Sequence, residues 1–379
     1  MKGAANTLMN RLPGKKNYRD DQLERTRRVQ KVGGSSLSVT LPKNWIEEIN
    51  LKPGDILTFK EMSGGKLELS KETQVGVPPD EQKTVHIDME GEEPHMLTRL
   101  IVGSYIAGHD NVIIRSREPF TDAQKEEASE AVRRVLGLSL VEQSANTMEF
   151  QNFIDPIKYR LDHILSRVIG VMNAEIEGCR KGLADNSKES VESVFALEDE
   201  VDSFYLLMIR QLLLSTDNYR LAKGLGIESH KFQMGYRLVI KDLEMIGDLI
   251  YNVSRELWSL IDTGLKLPDS VTRVVDDMLA KLNRFVLSSY EAFREQSLQE
   301  VNSVINDINS WLEEVSANEP LVTAAGDMKV ATIVQKIMSS LVEATRLLIV
   351  VDEVAFNRSM ERDKLIDNGD HINVNHRKR

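Results

Sequence analysis

Two acidic residues spaced four positions apart, Glu244 and Asp248, are the pair in this sequence best placed to do chemistry. They lie in the segment KDLEMIGDLIYNVSRE, whose apolar spacing predicts a helix. On a helix, residues four apart share a face, and two like charges there repel by roughly a few tenths of a kcal/mol. The pair therefore requires a cation nearby, either a metal ion or the side chain of an arginine or lysine.

An imperfect copy of this segment, RLLIVVDEVAFNRSME, recurs 105 positions further along the chain. Under that shift Asp248 aligns with Glu353, but Glu244 aligns with Ile349. On the preceding helix of the second copy the evident carboxylate is Asp307. The repeat predicts a duplicated fold, in which Asp307 and Glu353 form at most a weaker second site.

The order of predicted strands and helices along the chain indicates a multidomain α+β protein, whose helices must position these side chains. After a basic, flexible arm (1–25), residues 26–72 alternate as short strands around tight turns. Residues 73–150 alternate strands and helices and predict a small α/β domain. The pattern of the remaining chain predicts two three-helix bundles, 151–266 and 267–366, followed by a flexible tail, 367–379. The six helices predicted for the bundles are 153–182, 187–215, 227–263, 269–295, 297–316 and 321–364.

Length and composition favour an ordinary globular protein of two or three domains. The chain has 379 residues, of which 41% are hydrophobic and 28% charged. Its single Cys179 excludes an internal disulfide framework and a cysteine-based zinc site, and fits a reducing compartment. The N-terminus lacks the apolar run of a signal peptide, and LLIVV at 347–351 is too short to span a bilayer. We therefore expect a soluble, cytoplasmic protein.

Charge is unevenly distributed along the chain. Residues 1–31 carry a net charge of +6, whereas the whole chain carries −11, so the rest is strongly acidic. A basic arm on an acidic body favours an anionic partner, with nucleic acid the first candidate. The alternative is an arm that only improves solubility. The block 26–72 is so short that we expect it to dimerise.

Residues 242–252 resemble a family signature. They read D-L-E-M-I-G-D followed by Asn252, similar to the "D-L-E-R-I-G-D-x-x-x-N" motif of the PhoU family of phosphate-uptake regulators, with Met245 where arginine is usual. LEDEVD at 197–202 resembles the family's other acidic motif. The resemblance extends over most of the helical region. It implies a metal site on facing helices, with Glu198, Asp202, Glu244 and Asp248 as ligands.

The chemistry of these four residues agrees with that implication. Oxygen ligands suit hard cations such as Mg²⁺, Ca²⁺ or Mn²⁺, and iron or zinc can also be bound by carboxylates. The ion would be divalent or trivalent: Mg, Mn, Fe or Zn are the candidates. The alternative is a solvated acidic face neutralised by arginine and lysine.

A second resemblance covers the N-terminal block. VQKVGGSSLSVTLPK at 29–43 and LKPGD at 51–55 are similar to the AbrB/SpoVT/MazE family of swapped-hairpin DNA-binding domains. This resemblance implies a homodimer of interleaved chains with basic loops facing DNA; the alternative is a domain that only dimerises or binds protein. The implied DNA-binding residues are Arg25, Arg27, Arg28, Lys31, Ser35, Ser36 and Lys43.

Together the two resemblances favour a DNA-binding transcriptional regulator of phosphate uptake and phosphate homeostasis, with a carboxylate metal site in its helical body. The alternative is an adaptor that does not bind DNA and docks on a phosphate transporter or a sensor kinase. We expect no enzymatic activity, because no nucleophile–base pair and no phosphate-cradling glycine loop accompanies the acidic residues.

Overall fold

The computed structural model describes residues 26–34, 36–62, 66–71, 82–90, 93–216, 218–227, 230–316 and 327–362. The predicted arm, 1–25, and the predicted tail, 367–379, lie outside these residues. The chain divides into two compact units, Met1–Glu81 and Gln82–Arg379. In the described part of the chain, no helix is both long enough and apolar enough to cross a membrane.

The N-terminal unit consists of two antiparallel hairpins and a short helix, as the strand and turn pattern predicts. Its elements are β1 (Gln30–Val32), β2 (Ser36–Ser38), α1 (Lys43–Glu48), β3 (Leu57–Met62) and β4 (Lys66–Lys71). β1 pairs with β2, and β3 pairs with β4. Lys71 Nζ lies 2.7 Å from a carboxylate oxygen of Asp55 and fixes the LKPGD turn against β4.

This unit leaves large apolar side chains on its surface. Leu37 is 71% exposed, Val29 62% and Phe59 61%. Two short hairpins rarely enclose a core of their own, because too few residues lie between them. Exposed apolar surface of this kind is typical of a protein–protein interface.

The second unit begins with the predicted small α/β domain. Its elements are β5 (Thr84–Met89), α2 (Met96–Ile106), β6 (Asn111–Ser116), α3 (Asp122–Arg133), β7 (Leu138–Gln143) and β8 (Thr147–Asn152). The strand order is β5-β6-β8-β7, with β5 parallel to β6 and the other pairs antiparallel. Val112 and Ile114 of β6 and Phe150 of β8 are buried with Tyr105 of α2. Alternate strand residues therefore face the helices, and most residues on the opposite face of the sheet are polar.

The helical body contains the two predicted three-helix bundles. α4 (Leu161–Asp185), α5 (Lys188–Thr216) and α7 (His230–Asp262) form bundle 1, with the short α6 (Tyr219–Gly224) between α5 and α7. α8 (Asp269–Glu295), α9 (Leu298–Ser316) and α10 (Met328–Arg362) form bundle 2. Both bundles contribute to one continuous hydrophobic core. The fold class predicted from the sequence is confirmed.

Two details of the helical prediction are wrong. The first helix begins at Leu161 rather than 153, because Pro156 opens a separate 3₁₀ turn and Arg160 is extended. α6 falls in a segment predicted to be a break. Its start is stabilised by Asn218, whose side chain accepts a hydrogen bond from the backbone N–H of Leu221.

The bundles pack through α4 against α8 and through α7 against α10. The rings of Tyr236 and Phe293 meet edge to face with centroids 5.7 Å apart, and Arg358 of α10 lies over both. At the surface, Lys336 pairs with Glu256 at 2.8 Å. The offset copies of the signature helix are therefore direct neighbours in the structure.

Arg210 of α5 attaches the α/β domain to bundle 1. Its guanidinium is almost fully buried, donates to the carbonyl oxygens of Tyr105 and His109, and lies 2.6 Å from a carboxylate oxygen of Asp110. Leu206, one turn earlier, is buried in the core of the α/β domain. These contacts make the domain and the bundle one packed body.

We predict that Arg210→Met lowers the free energy of unfolding by about 3 kcal/mol, because it leaves two buried carbonyl groups and Asp110 without their donor. Urea denaturation of the full chain, followed by circular dichroism, measures the change. Arg133→Met is the matched control, since Arg133 pairs with Glu126 on the surface and should cost less than about 1 kcal/mol. Equal losses of stability in the two variants would contradict the role given to Arg210.

Candidate metal centre

Helices α5 and α7 bring together three of the four carboxylates predicted to bind metal. Glu198, Asp202 and Asp248 each offer a carboxylate oxygen, and these oxygens lie within 4.8 Å of one another. Glu198 is buried, Asp202 partly buried and Asp248 exposed. The group therefore runs from the bundle interior to the surface, so that an ion could enter from solvent.

The backbone of α7 makes room for this group at Gly247. A Cβ atom at that position would lie 3.2 Å from Oε2 of Glu198 and 3.2 Å from a methyl group of Val201. The glycine of the signature therefore lets the Glu198 carboxylate approach α7 closely. On α5, Glu198 and Asp202 are four residues apart and share the face turned toward α7.

The three carboxylates are not all stable as anions side by side. Burial raises the pKa of Glu198 to about 8, and the charges of Asp202 and Asp248 add to the effect. Burial also raises the pKa of Asp202, while Arg134, 3.1 Å away, acts in the opposite direction. Oε2 of Glu198 has no hydrogen-bond partner in the described residues. A set of oxygen donors lacking sufficient positive charge fits a hard metal ion.

Glu244, the fourth predicted ligand, has a different partner. Its carboxylate pairs with the ammonium group of Lys241, three residues earlier on α7. Burial raises the pKa of Glu244, and Lys241 opposes that shift. Glu244 is near enough for Asp202 and Asp248 to affect it, but it is not one of the three converging ligands.

A further carboxylate, which the sequence pattern did not identify, lies deeper in bundle 1. Glu175 of α4 is completely buried, and neither of its carboxylate oxygens has a hydrogen-bond partner in the described residues. Burial, reinforced by the neighbouring Glu198, raises its pKa to about 9. The signal in the sequence is its position on the buried stripe of Met172, Ile176 and Cys179, where a charged residue is out of place.

Bundle 2 does not repeat this arrangement. Asp307 and Glu353 are both exposed, and among the described residues neither joins a group of metal-ligating side chains. Asp307 instead lines a cavity of about 360 Å³ between α8 and α9, together with Lys281, Arg284 and a second acid, Glu314. Its nearby charged groups thus include two cations, which weakens the case for a metal there.

Among the described residues of bundle 2, the acid that lies buried is Asp352, one residue before Glu353. It accepts a hydrogen bond from the hydroxyl group of Ser289 at 3.0 Å. Burial raises its pKa to about 7, and the bond to Ser289 opposes this. Under the 105-residue shift Asp352 occupies the position of Gly247, so bundle 2 has a side chain where bundle 1 has space.

The predicted DNA-binding residues lie in the N-terminal unit. Of the seven, Arg25 and Ser35 fall outside the described residues. The other five are exposed: Arg27, Arg28, Lys31, Ser36 and Lys43. Lys43 is 3.6 Å from Glu47 on the surface of α1, a spacing that leaves it available to another anion.

Comparison with known families agrees with both resemblances noted in the sequence. Residues 172–257 match the family model described as the PhoU domain. Residues 30–76 match the model described as antidote-toxin recognition MazE, bacterial antitoxin. The first match contains Glu175, Glu198, Asp202 and Asp248. No curated protein gives a significant match to the chain.

We predict that Asp248→Asn weakens Mn²⁺ binding by about 100-fold or more, because it removes one of three converging ligands. Glu244→Gln should weaken it by less than about tenfold, since Glu244 is paired with Lys241. Isothermal titration calorimetry of metal-stripped protein separates the two, with Glu353→Gln as the control expected to bind as the unaltered chain does. A larger effect of Glu244→Gln than of Asp248→Asn would contradict this assignment.

Binding of Mn²⁺ should also release a proton at neutral pH, because Glu198 with a pKa of about 8 is mostly protonated in the metal-free protein. The affinity should then fall by about tenfold for each pH unit below 8. Calorimetry in buffers of different ionisation enthalpy measures the protons released. The same raised pKa makes the metal-free fold less stable as pH rises toward 8, since the unfolded chain loses this proton first. An affinity independent of pH in this range would show that Glu198 does not give up a proton to the metal.

Proposed function

We propose that this protein is a DNA-binding transcriptional regulator of phosphate uptake and phosphate homeostasis, whose helical body carries a regulatory metal site. The observation that carries the proposal is the presence, in one chain, of a MazE-like stretch at 30–76 and a PhoU-like stretch at 172–257. The first is a family of small domains that bind DNA or a protein partner, and the second is a family of phosphate-uptake regulators. A regulator needs both an output surface and a sensing body.

The N-terminal unit would supply the output. Its exposed Arg27 and Arg28 precede β1, and the exposed Lys31 lies within that strand, near the glycine turn at 33–34. Arginine and lysine at exposed turns bind phosphate groups of the DNA backbone and give affinity that depends strongly on salt. The exposed Leu37 and Phe59 support dimerisation, because a second copy would cover them.

The carboxylates of bundle 1 would supply the sensing site. A bound metal would neutralise the charges that Glu198, Asp202 and Asp248 place in one partly buried group. Without it, Glu198 holds a proton at its carboxyl group and Asp202 pairs with Arg134. These residues orient oxygen donors toward one point, and we propose no catalytic step.

Asp202 also offers a route by which this site could communicate with the α/β domain. Arg134 follows α3 in the α/β domain, and the hydroxyl group of Ser203 donates to its carbonyl oxygen at 3.0 Å. A cation held by Asp202 would compete with the guanidinium of Arg134 for the same carboxylate. Metal binding would therefore weaken one of the contacts between the domain and bundle 1, and it shifts an equilibrium only insofar as the two states bind it differently.

The second candidate function is an adaptor that docks on a transporter or a sensor kinase without binding DNA. The observation in its favour is an apolar strip on α7, where Met234 is 77% exposed and Leu238, one turn later, 53% exposed. Exposed apolar residues that share a helix face are typical of sites that bind another protein. Measuring DNA binding separates the two functions.

We predict that the full chain binds DNA from upstream of phosphate-transport genes, and that Arg27→Ala with Arg28→Ala weakens this binding on every sequence tested. Fluorescence anisotropy at several salt concentrations should show the slope of log affinity against log salt reduced by about one for each phosphate group that is no longer bound. The matched control is Arg273→Ala with Arg294→Ala, which removes two exposed arginines from the helical body. If the unaltered chain does not bind DNA even at low salt, the regulator hypothesis is wrong and the adaptor hypothesis remains.

A further inference from the structure

Strand β5 is an outer strand of the four-stranded sheet, and its outer backbone edge is open. The sheet has the order β5-β6-β8-β7, and β5 pairs with β6 in an unbroken register over all six of its residues, Thr84–Met89. Among the described residues, no backbone hydrogen bond joins residues 85–89 to an element other than β6. A row of unpaired backbone N–H and C=O groups is a template for a further strand.

The opposite edge of the same sheet is irregular, whereas β5 is not. Strand β7 has a register shift between Leu140 and Glu142. A bulge of this kind bends an outer strand and discourages the addition of another one. Strand β5, TVHIDM, has a regular register and contains no proline or lysine. The sheet can therefore be extended at β5 by a strand from another chain.

The two faces of β5 differ, which restricts the strand that can be added. His86 and Asp88 are exposed on the open face of the sheet. Val85, Ile87 and Met89 belong to the packed side, against the core of the α/β domain. A strand beside β5 must likewise be apolar toward the helices and polar on the open face. A second copy of β5 meets this requirement, because a two-fold axis perpendicular to the sheet pairs the strands antiparallel and keeps each face on its own side.

Charge complementarity selects the register of such a pair. With the two-fold axis at Ile87, His86 lies opposite the partner's Asp88, and Asp88 lies opposite the partner's His86. Each carboxylate can then accept a hydrogen bond from an imidazole N–H across the interface, and pairs of this kind stabilise antiparallel strands. With the axis one residue earlier or later, His86 or Asp88 lies opposite its own copy, and this attraction is lost.

We propose that β5 pairs antiparallel with β5 of a second copy of this chain, forming one eight-stranded sheet with two His86–Asp88 pairs on its open face. So short a strand pair buries little surface, and the contact therefore requires a further link between the two chains. The homodimer proposed for the N-terminal unit supplies that link and raises the effective concentration of the second β5. The inference thus rests on that homodimer and adds a second interface to it.

Disulfide formation in the full chain tests the register. Two chains with different tags are co-expressed, one carrying His86→Cys and the other Asp88→Cys, and are oxidised mildly. The matched control is Thr84→Cys with Asp88→Cys, which lie opposite each other only if the axis is at His86. We expect the first pair to give about tenfold more covalent dimer, because Cβ atoms of opposite residues lie roughly 4.5–5.5 Å apart and those of diagonal neighbours roughly 7–8 Å. The native Cys179 is fully buried and does not compete.

Light scattering of the unaltered chain separates this inference from the homodimer on which it rests. If the chain is a dimer or a larger assembly and the first cysteine pair gives no more covalent product than the control, the pairing of β5 is wrong and the N-terminal homodimer remains. If the chain is a monomer, both are wrong.

A second measurement exchanges the two charges and follows amide hydrogen exchange in residues 84–89 of the full chain. His86→Glu places two carboxylates opposite one another, and Asp88→Lys places a lysine opposite an imidazole, so each should accelerate exchange by about tenfold or more. The chain carrying both substitutions pairs glutamate with lysine and should exchange as slowly as the unaltered chain. In both chains with the lysine, that residue lies beside Arg115 of β6, so this neighbour is matched between them.

Exchange in residues 111–116 of β6 should be the same in all four chains, which shows that the variants fold. Exchange in residues 84–89 that is as slow in the single variants as in the unaltered chain overturns the inference. Fast exchange there in the double variant overturns it as well.

Discussion

The burial of carboxyl groups inside bundle 1 without a positively charged partner is the constraint on which the rest of this structure depends. An ionised carboxylate in a low-dielectric interior is so costly that it must gain a proton, a hydrogen bond or a cation. Within the described residues, Glu175 and Glu198 lack such partners for three of their oxygens. The surrounding helices are nevertheless packed by large apolar residues such as Met172 and Ile246. The hydrophobic core thus holds the acids in place although they oppose folding, as expected of a functional site.

The two bundles share a scaffold, but within the described residues three converging carboxylates are found in bundle 1 and not in bundle 2. In bundle 1 a glycine at 247 leaves space for Glu198. In bundle 2 the equivalent position is Asp352, which lies buried in the core and is satisfied on one side by Ser289. The position equivalent to Glu198 is Ser303, which is exposed. Bundle 2 therefore has the helix packing of bundle 1 without three converging carboxylates among its described residues. It packs against bundle 1 through the edge-to-face contact of Tyr236 with Phe293.

The sequence predicts the fold and most of the site because both depend on local pattern. Helical periodicity identifies the bundles, and the spacing of Glu198 with Asp202 identifies one wall of the site. For Glu244 the sequence leaves two partners open, a metal ion or a basic side chain. In the structure Lys241, on the same face of α7, pairs with Glu244 and would compete with a metal. Glu175 was missed because its role depends on tertiary packing: only the fold brings α4 behind Glu198. The start of α4 was misplaced because the extended backbone at Arg160 interrupts a pattern that is otherwise typical of continuous helix.

The α/β domain is attached to bundle 1 along one side of α5. Three consecutive turns of that helix contact it: Asp202 through Arg134, Leu206 through the apolar core, and Arg210 through Asp110 and two carbonyl groups. The contact at Arg210 is buried, whereas the one at Asp202 is partly exposed and shared with the candidate metal site. A change in charge at Asp202 would therefore act on one end of an interface whose other end is fixed. The domain therefore stays attached to bundle 1 whatever the charge at Asp202, because the buried arginine cannot leave without exposing its partners.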